Sequence, residues 1–133
     1  MGLNLKKIKN LLTSQSTIAL DSSCFIYHIE KNRKYIELTR IIFRELLPEG
    51  SIKAIGSTLI FTEILTKPYK LGRSDLAFAY KTLIQSLPNF YLCAPNEQIC
   101  DRAAQVRSKY GFKTPDAIHL ATAIEEDAQT IVA

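Results

Sequence analysis

Thr17-Ile18-Ala19-Leu20-Asp21-Ser22-Ser23 is the stretch whose reading decides the fold. Ile18, Ala19 and Leu20 are apolar in succession, not alternately, the pattern of a parallel strand covered on both faces. The run stops at an acid. Ser22 and Ser23 then offer a helix N-cap, and Cys24-Phe25-Ile26-Tyr27 begins a helix. Asp21 therefore stands at the carboxyl end of a first strand, where open α/β sheets place their ligands.

Working outward, the same alternation recurs. Residues 3–12 read as a short amphipathic helix with Leu5, Ile8, Leu11 and Leu12 on one face, so residues 1–16 form an N-terminal extension to a domain spanning 17–133. A helix is predicted over 31–47, with Tyr35, Leu38, Ile42 and Leu46 as its stripe, ended by Pro48-Glu49-Gly50. Residues 51–57 read as the second strand. A helix from Thr58 carries Glu63, the one charged residue between Lys53 and Lys67, and Lys67-Pro68 is expected to stop it. A basic turn with Lys70, Gly72 and Arg73 leads to a helix over 74–87. Phe90–Cys93 is the third strand, and the helix after Asn96 presents Ile99, Ala103, Val106 and Tyr110 before stopping at Gly111.

Thr114-Pro115-Asp116-Ala117-Ile118-His119-Leu120 opens the last helix. Thr114 suits the N-cap, Pro115 the first helical position, and Asp116 the first turn, where the helix dipole favours a carboxylate. Ala117, Ile118, Ala121 and Ile124 make its apolar stripe. A fourth strand begins at Gln129. The order β-α-α-β-α-α-β-α-α-β predicts one α/β domain with a parallel sheet between helical layers.

Composition agrees with that class. The chain has 133 residues, 47% hydrophobic and 23% charged, enough for one globular core. No apolar run approaches a membrane span and no export signal is read, so a cytoplasmic location is expected. Cys24, Cys93 and Cys100 lack Cys-x-x-Cys spacing and read as buried reduced thiols. The net charge of +4 is uneven: residues 1–81 hold 13 Lys/Arg against 7 Asp/Glu, and residues 82–133 hold 4 against 6. That asymmetry suits a polyanionic partner.

Asp21, Glu63 and Asp116 all leave the carboxyl rim of the predicted sheet. Three acids on one rim repel, and they become compatible if they share hard cations such as Mg²⁺ or Mn²⁺. Such ions serve phosphodiester hydrolysis. Two other readings compete. A strand-end Asp can be a phosphoryl-accepting nucleophile, although Ser23 stands where a second acid is usual. The domain could also bind RNA or a protein without cutting. His119, one turn from Asp116, is read as a hydrogen-bonded structural residue before a ligand. Asp101 and Glu125-Glu126-Asp127 read as solvated faces, and Tyr27, Tyr35 and Tyr80 as core before base-stacking platforms.

Ile18-Ala19-Leu20-Asp21-Ser22-Ser23, Glu63, and above all Thr114 through Ala123 resemble the PIN domain, and within it the VapC-type toxins of toxin–antitoxin pairs. The resemblance implies a Mg²⁺- or Mn²⁺-dependent endoribonuclease with Asp21, Glu63 and Asp116 as metal ligands and Ser23 supporting the site by hydrogen bonding. It also implies RNA as substrate, homodimerisation, and capture by an antitoxin helix in an apolar groove. Lys67, Lys70 and Arg73 are then candidates to hold RNA phosphates. Family members place a further acid after the fourth strand, in a Thr-Asn-Asp-like turn, and then a fifth strand in the order 3-2-1-4-5. The sequence stops at Ala133. Four strands in the order 3-2-1-4, an open edge on the fourth, a second cation position short of ligands, and weak cleavage are therefore expected of these residues.

Overall fold

A computed structural model describes residues 4–14 and 16–133. The elements are α1 (Leu5–Thr13), β1 (Thr17–Leu20), α2 (Ser22–Ile29), α3 (Ile36–Arg40), a π-helical segment (Ile41–Leu46), α4 (Leu47–Glu49), β2 (Lys53–Ser57), α5 (Leu59–Lys70), α6 (Ser74–Ser86), β3 (Phe90–Cys93), α7 (Glu97–Tyr110), α8 (Thr114–Glu125) and β4 (Thr130–Val132). The strands form one parallel sheet in the order β3-β2-β1-β4, as expected.

Period-two alternation sorts the residues of β1 between two cores. Ile18 and Leu20 enter a large cluster with Phe25, Ile42, Leu46 and Ile60, on the side of α1 through α6. Ala19 faces the other way and joins Ile55 of β2 and Ala123 of α8. Beyond that layer, Ala117 and Ala121 of α8 pack on Ile99, Ala103 and Val106 of α7. Small side chains on both α8 and the sheet let them approach closely. Gly56 does the same on the other face. A Cβ there would lie 2.8 Å from Ile60 Cδ1 and 3.2 Å from the Leu20 carbonyl, so the glycine lets α5 begin hard against the sheet.

Several local expectations are corrected. Leu3, part of the expected first helix, lies outside the described residues, and Leu11 of α1 is exposed. The helix expected from residue 31 starts at Ile36, because Asn32 Oδ1 accepts from the backbone N–H groups of Lys34 and Tyr35 and holds a turn. It then widens into the π segment, which buries Ile41, Ile42, Phe43 and Leu46. Pro68 does not end α5. The helix continues past it to Lys70, and the Pro68 carbonyl accepts from Arg73 N–H at 2.8 Å. Tyr110 and Ile124, expected in the core, are exposed. Of the cysteines, all free, Cys24 is buried but Cys93 is intermediate and Cys100 exposed. Glu125 is not a solvated face residue: Arg102 Nε donates to it at 2.8 Å and Gln98 Nε2 at 2.7 Å. No helix among the described residues is long and apolar enough to cross a membrane.

Candidate metal and RNA site

Asp21 follows the last residue of β1 with extended backbone and is itself the N-cap of α2. Its Oδ1 accepts from the Ser23 backbone N–H at 2.9 Å and from the Ser23 hydroxyl. The cap is thus the acid, and not Ser22 or Ser23, which are helical. An Asp satisfies an orphan N–H as well as a Ser does, and here Ser23 fixes its rotamer from below. Next to it Cys24 Sγ donates to the Val132 carbonyl at 3.1 Å. Burial, then the charge of Asp21, pushes that thiol up to about 12, so it stays protonated and inert beside the carboxylate.

Asp116 lies in the first turn of α8. The helix begins one residue earlier than the expected Thr114 cap, because the Lys113 carbonyl already accepts from Ala117 N–H at 2.9 Å. Asp116 is exposed and makes no hydrogen bond or ion pair among the described residues. Asp21 and Asp116 line one cleft of about 330 Å³, together with Phe112, His119, Leu120, Ile131 and Ala133. Two elements that are remote in sequence thus present carboxylates to the same space.

Glu63 is not among the residues lining that cleft. It lines a neighbouring hollow of about 300 Å³ with Glu30, Lys67 and Arg73. The link between the two is His119, which lines the first cleft and gives its Nε2 to Glu63 Oε1. His119 is 5% exposed, and its Nδ1 is buried with no partner among the described residues. A structural, hydrogen-bonded histidine is therefore what the sequence reading had preferred, but its partner is the third acid itself. We expect His119→Ala to cost roughly 2–3 kcal/mol, from lost packing and from a Glu63 left without its donor. A shift of the urea midpoint at unchanged slope would measure it; a shift below about 0.5 kcal/mol would show the pair to be incidental.

Lys67 carries no ion pair among the described residues and faces the Glu63 hollow. Arg73 is engaged twice by Asp75, at 2.9 Å each, and the guanidinium holds that carboxyl down at about 2. Lys70 lines neither hollow. Tyr80 is buried and Tyr27 and Tyr35 are each only partly exposed, so none of the three is an open base platform.

The donor chemistry fits a hard dication in kind. Mg²⁺ keeps several waters and is commonly held by one or two carboxylates plus substrate phosphate, and Asp21 and Asp116 offer two carboxylates on one cleft. Among the described residues no three His, Cys, Asp or Glu side chains stand together as a preformed metal cage.

A family model for the PIN domain matches residues 18–133. The chain belongs to the PIN domain family. Solved structures share its fold. The Mycobacterium tuberculosis VapC20 structure, described as a sarcin-ricin loop cleaving toxin, superposes with a TM-score of 0.70 at 13% identity, covering 87% of this chain and 88% of that one. VapBC-1 from nontypeable Haemophilus influenzae gives 0.60 at 24% identity, with 87% and 85% covered. A toxin–antitoxin complex from Klebsiella pneumoniae gives 0.61 at 19%, with 86% and 84% covered. At such identities the likeness is one of fold. No curated protein matches the sequence. Within this PIN domain, Asp21 directly follows the first strand and Asp116 lies in the first turn of α8, and both line the one cleft.

Proposed function

We propose that this PIN domain is a Mg²⁺- or Mn²⁺-dependent endoribonuclease acting in the cytoplasm as the toxin of a toxin–antitoxin pair. The observation that carries the reading is the cleft shared by Asp21 and Asp116 at the carboxyl rim of the sheet. Asp21 and Asp116 would hold the cation, with Glu63 approaching from the other side of His119. The chemistry that Mg²⁺ or Mn²⁺ supplies in such a site is Lewis-acid polarisation of a phosphodiester and activation of water.

The chain's own residues do the rest. Ser23 donates twice to one oxygen of Asp21 and holds that carboxylate in place. His119 holds Glu63. The apolar walls of the cleft, Phe112, Leu120 and Ile131, limit water around the acids. Lys67 offers a free ammonium toward a phosphate beside Glu63. An antitoxin partner belongs to the same reading, which the toxin–antitoxin complexes of like fold support, and a homodimer is proposed with it.

The test is cleavage of single-stranded RNA by the purified chain with Mg²⁺, with Mn²⁺ and with EDTA. Asn at position 21 can still accept from Ser23, so Asp21→Asn keeps the helix cap and removes only the charge. Cleavage that needs the metal and falls at least a hundredfold in Asp21→Asn is expected. RNA bound but never cut would favour the non-cleaving module, and metal-independent cutting would reject the site.

A further inference from the structure

We infer that Phe112 and Tyr110 form a nucleobase-stacking platform that delivers single-stranded RNA to the Asp21–Asp116 cleft. The inference rests on the ribonuclease reading and adds a binding subsite to it. Phe112 lines the cleft and is 41% exposed, while Tyr110 is 60% exposed, although its helical spacing had placed it in the core. Their rings stack with centroids 5.9 Å apart and planes 25° from parallel. The two residues form the corner between α7 and α8. Gly111, at φ 71°, makes the left-handed turn that brings one ring over the other, and Arg107 Nε pins the corner by donating to the Phe112 carbonyl at 3.1 Å. This is a fixed aromatic surface, not a loose loop.

Its surroundings are cationic. Residues 107–113, Arg-Ser-Lys-Tyr-Gly-Phe-Lys, hold three positive charges and no acid. Lys109 Nζ lies 5.3 Å from the Tyr110 ring centre, and Arg107, Lys109 and Lys113 make no ion pair among the described residues. Exposed aromatic rings beside cations without ion pairs are what a single strand needs, with stacking for the base and positive charge for the backbone. Phe112 lines the space in front of Asp116, and Tyr110, stacked on it, lines a separate hollow with Lys109 and Ile124. A base resting on Phe112 sets the adjoining phosphate toward the carboxylates. A duplex cannot present a base face there, so the platform selects unpaired RNA.

The experiment uses an RNA oligonucleotide carrying one 2-aminopurine, titrated in EDTA so that binding is read without metal-dependent cleavage. Stacking on an aromatic ring quenches that fluorophore. Quenching by the single strand is expected, with little from the same strand in a duplex. Phe112→Ala and Phe112→Leu should each weaken binding roughly tenfold, and Phe112→Trp should restore it. Replacing Lys109 and Lys113 by Gln should flatten the salt dependence without removing the residual quench. Equal quenching by the parent and Phe112→Leu, or equal affinity for duplex, would overturn the inference. So would the absence of any RNA binding at this face, which would leave it to a protein contact. Loss of cleavage with quenching intact would reject the ribonuclease reading and not the platform.

Discussion

Asp116→Asn is expected to lower Mg²⁺-supported RNA cleavage about a thousandfold, ~4 kcal/mol of transition-state stabilisation, while the protein melts within about 4 °C of the parent. The two halves of that result have different origins. The Asp116 carboxylate makes no hydrogen bond or ion pair among the described residues, so its removal breaks no polar contact of the fold. Its only structural contribution is a negative charge in the first turn of α8, where a carboxylate is worth roughly 0.3–1 kcal/mol. Its contribution to the cleft is one of two anionic donors. Cleavage rates and thermal melts on the same preparation separate the effects. Near-parental cleavage by Asp116→Asn would remove this residue from the reaction.

The largest effect on stability belongs to Phe25. It is fully buried, stacks on Phe43 at 5.2 Å and meets the tilted ring of Phe90 at 5.6 Å, tying α2, the π segment and β3 into one cluster. Phe25→Ala removes the ring from between two others that the sheet and the helices hold apart. A loss of roughly 3–5 kcal/mol is expected, lowering the melting temperature by about 10–20 °C. Denaturant unfolding should show a lower midpoint with little change in slope. A loss under about 1.5 kcal/mol would mean that the cluster closes over the void.

Strand positions were legible in the sequence because buried parallel strands leave a crude mark. Ile18-Ala19-Leu20 can only be covered on both sides, and an acid directly after such a run has few places to go. The rim positions of Asp21 and Asp116 followed from the elements that carry them. What could not be read was which side chains meet across elements. Glu63 and His119 are 56 positions apart, and nothing in either segment announces their pairing. The exposure of Tyr110 was misread for a related reason. It keeps the helical spacing of Ile99, Ala103 and Val106, but α7 outruns the surface it packs on, so the last residue of the stripe has nothing to cover. Pro68 was misread as a terminator because a proline removes one N–H, while the turn beyond it can still close through other donors. The departure from ordinary helical pitch at Ile41–Leu46 left no mark beyond a run of apolar residues.

The hydrogen bond from Cys24 to the Val132 carbonyl spans 108 positions, and β1 needs β4 as its neighbour along the whole of Ile18 to Leu20. The order of synthesis therefore matters. A growing chain emerges from its N-terminal end at about 5–20 residues per second, so Asp21 is out several seconds before the strand that walls its cleft. During that interval Ile131 has not yet emerged and Asp21 faces an unfinished pocket. The walls of the Asp21 cleft are thus complete only once translation has passed β4.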